Sequence, residues 1–245
     1  MDKFQILEAF HREVLTPMGV NRNIVEDADL IVGARLDKGE TKLKFDITEQ
    51  STKFPYELRL GRADIFMAYG LVAFISKIDE KTGDWSVQQY TYIDKKAFDG
   101  KKGDFLEADA LRAVWGGTLN MERDRVALIK DLKMRRLQYV PFRQVEEGAE
   151  PNVNMDEAAF IFSRRPILVG DDATDFDVEL GKISTELKEL IGGNFDAAGT
   201  NMNAAAAGAQ AEHQMHNHLV LHFIGFRVPG VAAEYKVHRK RTTGK

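Results

Sequence analysis

The sequence predicts a mainly β protein, a jelly roll or related β-sandwich, with a short N-terminal helix and one or two further small helices. Three observations lead there. Residues 65–78, from Ile65 to Ile78, form the most apolar run of the 245-residue chain, and charge bounds the run on both sides. A polar turn containing Gly83 separates it from Trp85–Ile93, a β-branched and aromatic segment, so the two stretches read as a long central hairpin. Elsewhere apolar and charged residues alternate with period two, and no strand–helix–strand rhythm interrupts them.

Composition sets the outer limits. The length suits one large domain or two small ones, and an apolar share of 44% is that of an ordinary globular protein. Charge is mixed, 34 basic against 38 acidic side chains for a net −4, which argues against a surface dedicated to nucleic acid. The absence of cysteine excludes disulfides, zinc–thiolate sites and thiol catalysis. The N-terminus is amphipathic and lacks the basic region and apolar core of a signal peptide, so a cytoplasmic start is expected. No run reaches the roughly 20 apolar residues that cross a bilayer as a helix.

Taken in order, Phe4, Leu7, Phe10, Val14 and Leu15 fall at helical spacing and predict a helix over 3–15, ended by Pro17 and Gly19. Residues 1–16 are read as an N-terminal arm whose Phe4, Leu7, Phe10 and Val14 either cap their own core or dock on a neighbouring subunit. Residues 17–235 are read as the sandwich. Leu30–Leu36 is a short strand, and Leu43, Phe45 and Ile47 alternate with Lys42, Lys44 and Asp46 in a half-buried one. After the central hairpin come a polar loop at 94–104, one or two helical turns over 106–114, and the breaker Gly116-Gly117. Thr118–Leu132 is expected to be one long strand with a bulge near Arg123-Asp124, because its apolar parity switches there. An acidic loop follows at 146–150. Phe160-Ile-Phe and Ile167-Leu-Val straddle Pro166, which confines that place to an edge or a kink. Phe176, Val178 and Leu180 alternate with carboxylates. Ile183, Leu187, Leu190 and Ile191 suggest a second short helix. Residues 192–211 are small and polar and read as a mobile loop. The last strand runs from His218 to Val228, with a bulge expected at Gly225. Residues 236–245 form a basic tail. These signals amount to about nine or ten strands, too few for two jelly rolls of eight strands each.

Chemical signals are sparse. His213, His216, His218 and His222 place four of the six histidines within ten residues. The His216-Asn-His218 spacing puts two imidazoles on one face of a strand, as metal ligands require. Cupins, jelly-roll enzymes that bind metal, use such a pair. They place a Glu three or four residues later, where this chain has Leu221 and His222. The other reading of the cluster is a pH-sensitive or solvated strand start. Asp171, Asp172, Asp175 and Asp177 lack the spacing of a calcium loop. No P-loop, nucleophile elbow or dinucleotide fingerprint occurs. No catalytic residue and no cofactor is assigned, and the chain is read as a non-enzyme.

Three phrases, Leu60-Gly-Arg-Ala-Asp64 continuing to Ile75, Gly117-Thr-Leu-Asn-Met121 and Arg136-Leu-Gln-Tyr-Val-Pro141, resemble jelly-roll capsid proteins of tailless bacteriophages. The resemblance covers roughly residues 56–145 and the last strand. It implies a virion structural protein that self-assembles into a symmetric shell, with copies of itself and other virion proteins as partners, located in the virion and in the host cytoplasm before assembly. The alternatives are a non-viral β-sandwich that binds a ligand or protein, and a cupin-like metal-dependent enzyme. Lys236, Arg239, Lys240, Arg241 and Lys245 put five positive charges into the last ten residues, leaving −9 on the rest since the total is −4. Such segregation suits unspecific contact with a packaged nucleic acid or with the headgroups of an internal membrane.

Overall fold

The computed structural model describes residues 2–36, 40–48, 54, 57–79, 85–90, 112–138, 159–172, 174–181, 194–195 and 215–243. The strands are β1 (Glu26–Arg35), β2 (Lys42–Lys44), β3 (Ile65–Asp79), β4 (Trp85–Tyr90), β5 (Thr118–Arg123), β6 (Val126–Lys133), β7 (Phe160–Ile161), β8 (Ile167–Val169), β9 (Thr174–Glu179), β10 (Asn194–Phe195) and β11 (Met215–Val228). Helix α1 (Lys3–Phe10) precedes them and α2 (Ala232–Thr243) follows. Among the described residues no helix is long and apolar enough to cross a membrane.

The most apolar run, residues 65–78, and the last strand become the two central strands. β3 and β11 pair antiparallel along nearly their whole length. β1 lies on the far side of β11, and the other edge of β3 is shared by β8, β7 and β4 in succession. The second sheet has the order β2–β9–β5–β6. With β7 and β8 taken as one interrupted strand, the pairs β1·β11, β2·β9, β3·β7/β8 and β5·β6 are the rungs of a single long antiparallel hairpin. The contacts β11·β3 and β9·β5 roll that hairpin into two facing sheets. This is the jelly-roll order, and it confirms the fold class read from the sequence.

Alternation decides what each face buries. Leu219, Leu221 and Phe223 of β11 point between the sheets with Leu30, Val32 and Ala34 of β1, facing Leu119, Met121, Phe176 and Val178 of the smaller sheet. The rings of Phe45, Phe176 and Phe223 run across this interior with centroids 5.0 and 5.7 Å apart. The opposite face of the larger sheet also carries a buried apolar set, Val72, Phe74, Val220, Ile224 and Phe226. Ile6, Phe10 and Leu15 from the N-terminal segment, and Val231, Ala232 and Tyr235 from the C-terminal one, pack on it. β3 and β11 are therefore buried on both sides, which explains the dense apolar content of β3 and the burial of His216, Asn217, His218 and His222 within β11.

The expected irregularity at Gly225 is present, but the extra residue belongs to the partner strand. Ile224 lies opposite Gly70 and Gly225 opposite Ala68, so Tyr69 is the bulged residue of β3. The inward set of β3 accordingly shifts from Phe66 and Ala68 to Leu71, Ala73 and Ile75, while β11 keeps its parity. Gly225 is there because strands approach closely: a Cβ would lie 2.3 Å from the Met67 carbonyl oxygen and 2.6 Å from the Phe66 ring.

One expectation needs correction. Thr118–Leu132 is a hairpin of β5 and β6, turned at Asp124-Arg125 with φ of 49° and 64° at the two residues. Both turn positions are left-handed, a geometry usually supplied by Asn or Gly, and Asp-Arg carries little signal for it. Of the two readings of the N-terminal segment, packing on its own domain is the one present, with Ile6, Phe10 and Leu15 against the larger sheet. The basic tail is the C-terminal helix through Thr243. Within the other predicted segments, Arg112–Trp115 form one helical turn before Gly116, and β10 occupies two residues of the 192–211 segment. The remainder of that segment, the helix expected over 183–191, and the loops at 94–104 and 146–150 lie outside the described residues.

Candidate functional site

Charge concentrates where β11 hands over to α2. The turn is set by Pro229-Gly230: Gly230 has φ of 73°, and its N–H donates to Asp64 Oδ1 at 3.0 Å. Val231, Ala232 and Tyr235 then bury against the larger sheet. Beyond Tyr235 no apolar side chain of the described helix is buried, and Val237 is 51% exposed. What holds the second half is charge. Lys236 Nζ lies 2.7 Å from Asp171 Oδ1 and 2.9 Å from Asp172 Oδ1. One turn on, Arg239 Nη1 donates to Asp172 Oδ2 at 2.9 Å and Nη2 to Asp124 Oδ2 at 2.8 Å.

Asp172 is the hub. Its side chain is only 6% exposed, and a third cation, Arg123 Nε, stands 3.6 Å away. Arg123 ends β5 facing inward, and its Nη1 donates to the Ile167 carbonyl at 2.6 Å, tying the smaller sheet to β8 of the larger one. Three carboxylates and three cations thus fasten α2 to the β5–β6 and β8–β9 turns. Partial burial alone would lower the Lys236 pKa, but its hydrogen bonds to Asp171 and Asp172 and their charges outweigh that, and the net shift is upward. The arrangement holds fixed charges that fasten α2 to the body.

Of the five tail cations, Lys236 and Arg239 are therefore engaged within the molecule. Lys240 and Arg241 are exposed on the outer turn of α2, and Lys245 lies outside the described residues. Asp171 and Asp172, weighed in the sequence as a calcium loop, are the partners of the tail. Asp124 and Arg123 carry no local signal for this role, since Asp124 and Arg239 are 115 positions apart.

The described histidines of the cluster do not gather at one point. His213 lies outside the described residues. His216, His218 and His222 are buried on β11 and share the face directed away from the sandwich interior, where Leu219, Leu221 and Phe223 point. His222 Nε2 is 3.1 Å from Asp29 Oδ1, and the ring of His218 meets Phe54 edge-on at 4.4 Å. The hydrogen bond to His222 lowers the Asp29 pKa against the opposing effect of burial, aided by the charges of His222 and Lys3. Among the described residues no group of three His, Asp or Glu gathers as metal ligands. The assembly-arm residues also separate: Phe10 is buried, Leu7 and Val14 pack beside it, and Phe4 is 60% exposed beneath the Arg22 guanidinium.

Comparison of the chain with protein-family models and with curated proteins finds no match.

Proposed function

We propose that this chain is a capsid-type structural subunit that self-assembles into a symmetric shell, with copies of itself and other virion proteins as its partners. The supporting observation is the jelly-roll order of the two sheets, an architecture that recurs in viral capsid proteins. The packing agrees with a scaffolding role. The interior between the sheets is filled by aliphatic and aromatic side chains, at the positions where a jelly-roll enzyme would direct ligands inward. The antiparallel topology also gives the molecule two unlike ends. The charged fastening lies at one end, and β3, β6 and β9 run out at the other into the stretches that lead to β4, β7 and β10. A subunit with one stitched end and one end of long connections suits a shell in which contacts radiate from the long connections.

Sedimentation velocity of the purified protein across a wide concentration range tests this reading. A shell subunit gives large, discrete species that grow with concentration. A ligand-binding sandwich outside any shell gives a monomer throughout, and that result would overturn the proposal.

A further inference from the structure

We propose that the second half of α2, residues 236–243, is an electrostatically latched cationic arm that opens as a unit and, when open, offers Lys236 and Arg239 to a phosphate polyanion alongside Lys240 and Arg241. Four observations carry this. The buried apolar anchors of the helix end at Tyr235. Lys236 and Arg239, in the second half, reach the body through ion pairs to Asp124, Asp171 and Asp172. Two of these three carboxylates are substantially exposed, so they hold their partners weakly and are open to screening. The next two cations, Lys240 and Arg241, already face solvent.

The consequence is a competition. Asp171, Asp172 and Asp124 occupy the cations that a phosphate chain would contact, so latch closure and polyanion binding oppose each other, and by linkage each weakens the other equally. Closed, the arm presents two charges; open, it presents four. Raising the salt concentration loosens the latch and the polyanion contact together, so the open, bound state belongs to low salt and high phosphate density. This inference does not depend on the shell reading, because it concerns the isolated chain.

The decisive variant weakens the latch through its exposed partners and leaves the Asp172 hub intact: Asp124→Asn with Asp171→Asn. Asn suits the left-handed backbone at 124. Asp131→Asn with Asp175→Asn removes the same charge from the smaller sheet and serves as the control. Duplex DNA binding is measured from 0.05 to 0.3 M salt, with amide hydrogen exchange of residues 237–243 in parallel. The latch variant is expected to exchange at those amides about tenfold faster than the control, while β11 amides are unchanged. It is expected to bind DNA more tightly than the control, with a salt slope up to about 1.8 steeper, the contribution of two further phosphate contacts. Equal affinity and slope for the latch variant and the control would overturn the proposal. So would unchanged exchange at 237–243, or binding to anionic vesicles without binding to DNA. Asp172→Asn gives a second reading, with faster exchange at the same amides expected wherever the chain stays folded.

Discussion

Asp172 is the residue on which most depends. It is buried, it serves three cations, and an amide in its place would leave those cations without their common anion. Asp172→Asn is expected to destabilise the fold by about 3 kcal/mol, in the range for removing one partner from a buried ionic network. Asp171→Asn, whose partner Lys236 keeps Asp172, should stay within about 1 kcal/mol. Urea midpoints at constant slope measure both, and equal losses would show that the hub has no special weight. Gly225→Ala places a methyl group against the Met67 carbonyl and should cost about 3 kcal/mol by forcing β11 off β3. Asp29 supplies a pH signature. Its folded pKa lies below the ordinary 3.8, so its pairing with His222 stabilises the fold fully above pH 3.8 and loses that contribution as the pH falls through the lower folded value. Asp29→Asn should flatten the acid limb of the stability curve below pH 3.8; an unchanged limb would mean the pair contributes nothing.

At the scale of elements, legibility followed the length of the apolar pattern. β3 stands out because burial on both faces leaves a long stretch with few polar side chains, and β11 because apolar side chains fall on both parities between its histidines and Arg227. β9 was legible from the alternation of Phe176 and Val178 with carboxylates. The β5–β6 hairpin was hidden because its turn is Asp124-Arg125 and not Asn-Gly, so a real chain reversal looked like a parity slip. Replacing Arg125, held at φ of 64°, with Gly should relieve that backbone and raise stability by up to about 1 kcal/mol, read as a higher thermal midpoint. A fall in the midpoint would mean that the Arg125 side chain contributes more than its backbone costs. The C-terminal helix was hidden for a different reason. Its sequence is polar on nearly every face beyond Tyr235, and what holds it is a set of carboxylates far away in the chain. Asp171 and Asp172 stand out as an acidic run, but nothing local assigns them to Lys236 and Arg239. The histidine spacing was legible, and so was its strand face; which side of the sheet that face met depended on how both sheets packed.

At the scale of the whole molecule, the N-terminal segment belongs to the body. Deleting residues 2–16 removes Ile6, Phe10 and Leu15 from the larger sheet and bares the face they cover. Three such side chains represent roughly 5 kcal/mol of burial, comparable with the entire stability of a small domain. The truncated chain is therefore expected to lose cooperative thermal unfolding or to aggregate, whereas a soluble truncation with an unchanged midpoint would restore the reading of a detachable arm. The same covered sheet bears on assembly. With one face of the larger sheet under helices and the interior filled, the proposed shell would place contacts between copies at the ends and on the smaller sheet. Negative-stain electron microscopy of the purified protein, at the concentration where sedimentation first departs from the single chain, is the most direct measurement. Closed particles of one size, or ordered sheets with a repeating subunit, are the expected result. A field of isolated single subunits at every concentration would contradict the assignment of this jelly roll to a shell.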